Sequence, residues 1–431
     1  MKGTVNMNVF TSTFAPEDRK LAEQLFSRIG LMSSTNQKYG GITRPSYSAV
    51  ETAALNEIEA TARRSDLETW TDSAANLWVD PHQIGPIFPT ICIGSHIDSV
   101  PNGGNFDGLA GIVAGLLVVR RLAREKPNAG VRLIAFRGEE SAWFGMPYVG
   151  AKALLGQLTK EDLTRRNIDD DRSLYEHMRG VGADVTKLGQ STPLMNPKNI
   201  TEYWELHIEQ GPVLVEADKP LGVVTDIRGN IRHREIVIRG EAGHSGTTPR
   251  RLRKDAVAAF VALMSRLDGV WQRKVDETED LVVTCGRVST GANASITQIA
   301  DEVRFCLEWR SLSEATLTSF DFMLKVQMDF VRSEFGVEFE MDAPAQTRPA
   351  KLSTELAIRS MYNATVTPGV LAMKMPSGAG HDAALFANAG IPTGMLFVRN
   401  EHGSHNPREA MTLDDFMIGV EVLYQNIAGR V

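Results

Sequence analysis

Cysteine is scarce. Cys92, Cys285 and Cys306 are the only three in 431 residues, far apart and each in an apolar run. That spacing excludes a disulfide framework and a thiolate zinc site, and it fits reduced core residues of a cytoplasmic protein. There is no basic tract and the formal net charge is −7, which argues against nucleic acid or an anionic membrane as a partner. An anionic substrate stays open, since a single buried arginine can bind one. No apolar run approaches the length needed to span a bilayer. Met1 to Ala15 is polar and lacks a basic start followed by an apolar stretch, so no signal peptide is expected. Internal repeats and low-complexity segments are missing too. What remains has ordinary apolar and charged fractions, and its length suits two or three domains.

Histidine is also sparse, with nine in the chain, and its placement is uneven. His96, His207, His244, His381 and His405 each fall in a Gly-rich, turn-forming or strand-end setting, where functional loops lie. His82, His177, His233 and His402 have weaker contexts. The densest stretch is Gly94-Ser-His-Ile-Asp-Ser-Val-Pro-Asn-Gly-Gly-Asn-Phe-Asp-Gly108. Ile91-Cys-Ile93 leads into it as a buried strand, and Leu109 to Ala123 follows as a helix. His96 and Asp98 are two residues apart, so in extended chain they project to the same side. Pro101, Gly103 and Gly104 break regular structure before Asp107. Imidazole and carboxylate are ligands that zinc or manganese accepts. The alternative is that Asp107 caps the helix and His96 is a loop histidine.

Val131 to Arg137 reads as another apolar strand, ending in Gly138-Glu139-Glu140. Strand, helix and strand with apolar strands predict a parallel sheet covered on both faces. Ligands bind at the carboxyl ends of such strands, which is where His96, Asp98, Asp107, Glu139 and Glu140 fall. Of two adjacent carboxylates, one can hold a metal while the other handles a proton. Further helices are expected over Pro16 to Ile29, Tyr47 to Arg64, Thr159 to Arg165, Arg172 to Arg179 and Thr412 to Ile427. Leu67 to Val79 reads as a strand pair, Gly40 to Arg44 as a loop, and Gly390 to Val398 as a strand leading to His405. His207 sits in a strand-like alternation before a Gly-Pro break.

Between these parts the pattern changes. Ile231 to Arg239, Leu281 to Val288 and Val303 to Arg310 alternate apolar and polar residues, as half-exposed antiparallel strands do. Arg253 to Leu267 and Leu317 to Phe335 read as helices among them. The fold class expected is α/β: a mixed, mostly parallel sheet between helices, with an inserted α+β module. Residues 1–225 and 345–431 would form the catalytic domain and 226–344 the insert. Together the site residues supply ligands for two metal ions, one carboxylate between them, and a glutamate to spare. Two such ions about 3.5–4 Å apart can activate a shared water, and the spare glutamate can carry its proton.

The motifs Gly94 to Asp107, Gly138-Glu-Glu140, Glu205-Leu-His-Ile-Glu-Gln-Gly-Pro212, Gly243-His-Ser-Gly-Thr-Thr-Pro249, Gly378-Ala-Gly-His-Asp-Ala383 and Ser404-His-Asn-Pro407 occur in that order. In this the chain resembles the hydantoinase/carbamoylase branch of the M20 metallopeptidase-like amidohydrolases. The resemblance covers nearly the whole chain. The branch contains N-carbamoyl-L-amino acid hydrolases, β-ureidopropionases and allantoate or ureidoglycolate amidohydrolases. It implies an inserted domain that serves as lid and homodimer interface, an anionic small-molecule substrate, and two divalent ions, zinc first and manganese, cobalt or nickel as alternatives. It implies that His96, Asp107 and His207 hold one ion, that Asp107, Glu140 and His405 hold the other, and that Asp98 fixes the tautomer of His96. Glu139 would be the general base and then the general acid. His244 would stabilise the oxyanion, and Gln210 would lie beside the substrate. Asn293 and Arg310 would grip the substrate carboxylate, with backbone N–H groups of Gly378 and Gly380 at the same end and His381 nearby.

For Asn293 a turn residue, for Arg310 a surface strand arginine and for His381 a structural histidine are the competing readings. The chain also departs from the usual pattern. It has Asn293-Ala-Ser-Ile, Glu308-Trp-Arg310, Ser141-Ala-Trp-Phe144 after the glutamate pair, and Arg228-Gly-Asn-Ile-Arg-His-Arg234 at the start of the insert. These leave the metal chemistry intact and the substrate open: an N-carbamoyl amino acid first, allantoate, ureidoglycolate, an N-acyl amino acid or a dipeptide as alternatives. A catalytically silent metal-binding homologue is the reading from another class.

Overall fold

The computed structural model describes residues 10–33, 41–81, 89–126 and 129–431. The expectations for residues 1–9, Gly40 and His82 lie outside the described residues. The chain forms two compact units, Met1–Ile227 with Lys351–Val431, and Arg228–Ala350.

The larger unit is built on a nine-stranded mixed sheet. Its middle is parallel: Thr90–His96 pairs in parallel with Val131–Phe136 and with Ile200–Ile208, which pairs in parallel with Thr393–Val398. One edge is the antiparallel pair Glu68–Thr71 and Leu77–Asp80. Toward the other edge, Leu221–Ile227 runs antiparallel to Thr393–Val398 and parallel to Ala372–Ser377. The central strands are buried along their whole length, which is why they read as largely apolar runs.

The two faces divide by strand parity. Ile91, Ile93, Leu133 and Leu206 join a core with helix Leu109–Glu125 and helix Leu413–Ala428. On the opposite face, the Tyr203 ring stacks on Phe386 of helix Asp382–Asn388 at 3.8 Å between centroids. Helix Leu109–Glu125 lies close on the sheet because of two glycines one turn apart. A Cβ at Gly111 would come 2.2 Å from the Leu206 carbonyl oxygen, and one at Gly115 would come 2.7 Å from Leu133.

Most expected elements form, with shifted ends. The helix over Thr159 to Arg165 does not. Asp162 bonds back to the Thr159 N–H and hydroxyl, and only a 3₁₀ turn, Asp162–Thr164, results. Local side-chain bonds of this kind compete with helix propagation. The next helix is Leu174–Gly180, started by a capping box between Ser173 and Glu176.

The smaller unit is a five-stranded antiparallel sheet. Gly229–Arg239 pairs with Glu302–Ser311, which pairs with Val282–Thr290; Glu338–Met341 and Ala345–Thr347 lie along the other side of Gly229–Arg239. Burial alternates strictly along Glu302–Ser311. Val303, Phe305, Leu307 and Trp309 pack with residues of helices Ala256–Asp276 and Glu314–Phe335 in one core. The first of these helices outruns its expected end at Leu267 to reach Asp276, passing through Gly269.

Candidate metal centre

The carboxyl ends of the central strands bring the expected ligands together. His96 ends its strand, His207 stands one residue before the end of Ile200–Ile208, and Glu139 and Glu140 follow Val131–Phe136. His405 lies in the loop after Thr393–Val398. Asp107 arrives through a turn that only glycine permits: Gly108 has φ +68°, and a Cβ there would come 2.5 Å from the His96 ring. The helix that follows takes no side-chain cap from Asp107. That carboxylate is turned to the histidines instead.

Asp107 divides its two oxygens between two groups of ligands. Oδ1 is 3.4 Å from His96 Nε2 and 3.2 Å from His207 Nε2, and the two imidazole nitrogens are 3.4 Å apart. Oδ2 is 3.3 Å from His405 Nε2, which is 3.4 Å from Glu140 Oε1. His96, Asp107 and His207 form one cluster of possible ligands and Asp107, Glu140 and His405 another. His96, Asp107 and His207 are almost fully buried, whereas the His405 side chain is 52% exposed.

The donor set fits two divalent ions. His96 Nδ1 lies 3.1 Å from the Asp98 carbonyl oxygen, and His207 Nδ1 lies 2.9 Å from that of Ile208. A ring nitrogen beside a carbonyl carries the proton, so each Nε2 has a lone pair on the side of Asp107; that of His207 accepts from the Gly108 N–H at 3.1 Å. Asp107 Oδ1 is buried with no hydrogen-bond partner, although three ring nitrogens surround the carboxylate. Their separations of 3.2–3.4 Å exceed the ~2.7–2.9 Å of a charge-assisted hydrogen bond. They suit donors sharing an ion.

Asp98 meets His96 Nδ1 with two acceptors and does more besides. The nearer acceptor for His96 is its main-chain carbonyl; its carboxylate oxygen is 3.5 Å away. The carboxylate accepts from the Glu139 and Glu140 N–H groups at 3.0 and 3.1 Å and from Ser46 Oγ at 2.6 Å. It therefore sets the backbone of the glutamate pair. Glu139 Oε2 is 3.9 Å from His96 Nε2. Burial, reinforced by the charges of Glu140, Asp382 and Asp98 and opposed by His96, holds the Glu139 carboxyl well above the usual carboxylate range. A carboxyl so placed is suited to proton transfer.

The model of Peptidase family M20/M25/M40 matches residues 92–428. An N-carbamoyl-L-amino acid amidohydrolase of Geobacillus stearothermophilus is 33% identical over 409 residues, covering 94% of this chain and 97% of that protein. An allantoate amidohydrolase of Escherichia coli (strain K12) is 32% identical over 398 residues, covering 89% and 92%. Among solved structures, an amidase of the hydantoinase/carbamoylase family from Burkholderia multivorans superposes with a TM-score of 0.82 at 26% identity, covering 98% of each chain.

This chain belongs to the M20 peptidase family, in its hydantoinase/carbamoylase branch.

The remaining expected site residues of this M20 chain divide between the two units. In the larger unit, Gln210 has φ +63° and His405 φ +59°, left-handed backbone held by the surrounding structure. Gln210 Nε2 donates to Asp107 Oδ2 at 2.7 Å, so it supports a ligand directly. His381 is buried behind the centre, edge-on to His207 at 4.5 Å, with Nε2 3.0 Å from Ser377 Oγ. Gly378 is exposed. A Cβ at Gly380 would come 1.8 Å from the Tyr148 hydroxyl, so any larger residue there would have to displace that ring. In the smaller unit, His244 is exposed, its Nδ1 accepting from the Gly246 N–H at 3.0 Å. Asn293 is exposed in the turn closed by Ala294 N–H on the Gly291 carbonyl. Arg310 Nε is 2.9 Å from Glu308 Oε1 on the sheet face turned away from the core.

Several supporting residues were not foreseen. Glu409 accepts from the Phe106 and Asp107 N–H groups at 2.7 and 3.2 Å, and Ser404 Oγ lies between the two carboxylates, 2.5 Å from Glu409 Oε2 and 2.6 Å from Asp107 Oδ2, with one proton to give to either. Glu205 accepts from the Ala383 N–H at 2.8 Å and Ser95 Oγ at 3.2 Å. Asp382 is buried with neither oxygen hydrogen-bonded, and burial together with the charge of Glu205 holds its carboxyl well above the usual range. Glu205 and Asp382 lie inside motifs that were legible; Ser46 and Glu409 carry no local signal.

Proposed function

We propose that this chain is a dinuclear-metal amidohydrolase that hydrolyses N-carbamoyl amino acids to the free amino acid, ammonia and carbon dioxide. The observation that carries the reading is the Asp107 carboxylate. It faces two histidines with one oxygen and His405 beside Glu140 with the other, with Glu139 next to them. His96, Asp107 and His207 would hold one ion, and Asp107, Glu140 and His405 the other. Zinc is the first expectation and manganese, cobalt or nickel the alternatives. When bound, the ions supply Lewis-acid activation of water and of the ureido carbonyl.

The protein's own groups do the rest. Glu139 takes the proton from the attacking water and returns it to the departing nitrogen. His244 stabilises the oxyanion. Arg310 and Asn293 grip the substrate carboxylate, for which a planar guanidinium is the better-shaped cation. N–H groups of Gly378 and Gly380 assist at that end. In this reading the smaller unit is a lid and homodimerisation domain, hinged near Asp226 to Gly229 and Asp342 to Pro344.

The test is release of ammonia and amine from N-carbamoyl-L- and D-amino acids, N-carbamoyl-β-alanine, allantoate, ureidoglycolate, N-acetyl amino acids and a dipeptide. Turnover of carbamoyl amino acids, abolished by a chelator and restored by added metal, is expected. Cleavage of allantoate or ureidoglycolate alone would move the substrate within the family. Cleavage of acyl or peptidyl substrates alone would overturn the carbamoylase reading.

A further inference from the structure

Two of the sequence departures noted above, Arg232 and Glu308, meet in space. Glu308 and Arg310 are two residues apart on Glu302–Ser311, so they share a face, the one opposite Leu307 and Trp309 in the core. On the neighbouring strand Arg232 is the register partner of Glu308, and Asn230 that of Arg310. Arg232 Nη2 and Arg310 Nε both lie 2.9 Å from one atom, Glu308 Oε1. The three side chains are 30%, 29% and 22% exposed for Arg232, Arg310 and Glu308. Burial works against a charge on Glu308, but Arg310 and Arg232 outweigh it and lower its pKa. The carboxylate is ionised near neutral pH, and the triad carries one net positive charge.

Resting on the reading of Arg310 as the substrate-carboxylate group, we propose that Glu308 is a specificity-determining residue. It sets Arg232 beside Arg310 as the second guanidinium of one anion subsite, and it cancels one of their two charges. Each arginine meets the shared oxygen with a different nitrogen, so the two forks are fixed relative to one another. A net charge of one matches a substrate bearing a single carboxylate. A substrate with a second carboxylate on its side chain meets Glu308 as a like charge. Glu308 touches no reacting atom; it acts by position and by charge.

The test uses the metal-loaded full chain with N-carbamoyl-L-alanine and N-carbamoyl-L-aspartate, measuring kcat and KM separately. The wild type favours the monoanion. Glu308→Gln keeps the size and removes the charge, and should shift the monoanion-to-dianion ratio of kcat/KM about tenfold toward the dianion, through KM. Arg232→Gln should raise KM for both substrates about tenfold, with Arg232→Lys recovering part of the loss. An unchanged ratio in Glu308→Gln, or a fall in kcat alike for both substrates, overturns the proposal. So does Arg232→Gln with wild-type KM. Failure of the function is read separately. If no carbamoyl substrate turns over, N-acetyl-L-alanine and N-acetyl-L-aspartate report the same ratio. If Arg310→Ala leaves KM unchanged, the carboxylate assignment itself has failed.

Discussion

Two adjacent carboxylates, Glu139 and Glu140, have different surroundings. Glu140 faces His405, whereas Glu139 is buried close to His96 with three other carboxylates raising its pKa. Asp98 makes the division possible, because its carboxylate takes both backbone N–H groups and so fixes the two side chains in divergent directions. If Glu139 carries the proton, Glu139→Gln keeps shape and burial but cannot accept it. We expect kcat to fall by at least ~10²-fold, with metal content, measured by elemental analysis on the purified protein, unchanged. Loss of metal in that variant would make Glu139 a ligand instead, and near-normal kcat would remove it from the mechanism.

Helix Leu109–Glu125 and the strands beneath it show what was legible and what was not. Its apolar run, the Gly-rich loop before it and the strand ending at His96 all read from local pattern, because burial on both faces and turn chemistry leave marks within a few residues. His207 before its Gly-Pro break and His405 in the loop after a strand had suggestive local settings, but the resemblance to the family is what implied their roles as ligands. The supports were hidden because their partners are remote: Glu409 serves the Asp107 N–H, and Ser46 serves Asp98. A surface-like Glu or Ser in a loop has no local feature that announces such a bond. Helix Thr354–Val366 and strand Leu221–Ile227 also went unread.

The closeness of the helix to the sheet is a testable element property. Gly111→Ala would place a methyl group 2.2 Å from the Leu206 carbonyl oxygen, backbone that cannot swing away. Overpacking of this kind costs about 1–3 kcal/mol, so urea unfolding should show a loss in that range. Since Leu206 precedes His207, metal affinity should fall as well. A variant as stable as the wild type would mean that helix and sheet separate freely, and the site would not then depend on their contact.

Across the larger unit, a buried Glu51–Arg137 pair ties the outer layer to the loop that carries Glu139 and Glu140. Glu51, in helix Ala49–Arg64, receives Arg137 Nη1 at 2.6 Å, the Tyr47 N–H at 2.8 Å and the Gly138 N–H at 3.2 Å. Burial nonetheless prevails over Arg137 and lifts the Glu51 carboxyl to about 7. The sign of the effect on stability follows. From roughly pH 4.5 to about 7, the native state keeps a proton that the unfolded chain has released, so stability falls as pH rises through that window and levels off above it. The full shift corresponds to about 3 kcal/mol. Glu51→Gln has no such proton to lose. Urea unfolding of both proteins between pH 5 and 7.5 should therefore show the wild type losing about 1–3 kcal/mol relative to the variant. Because Gly138 is bonded to Glu51 and is followed by Glu139, the same titration should add a step near pH 7 to the kcat profile of the wild type that the variant lacks, beside the dependence that Glu139 itself gives both proteins. Parallel stability profiles would mean that Arg137 keeps Glu51 ionised throughout, and the pair would then be a fixed strut beneath the glutamates instead of a titrating one.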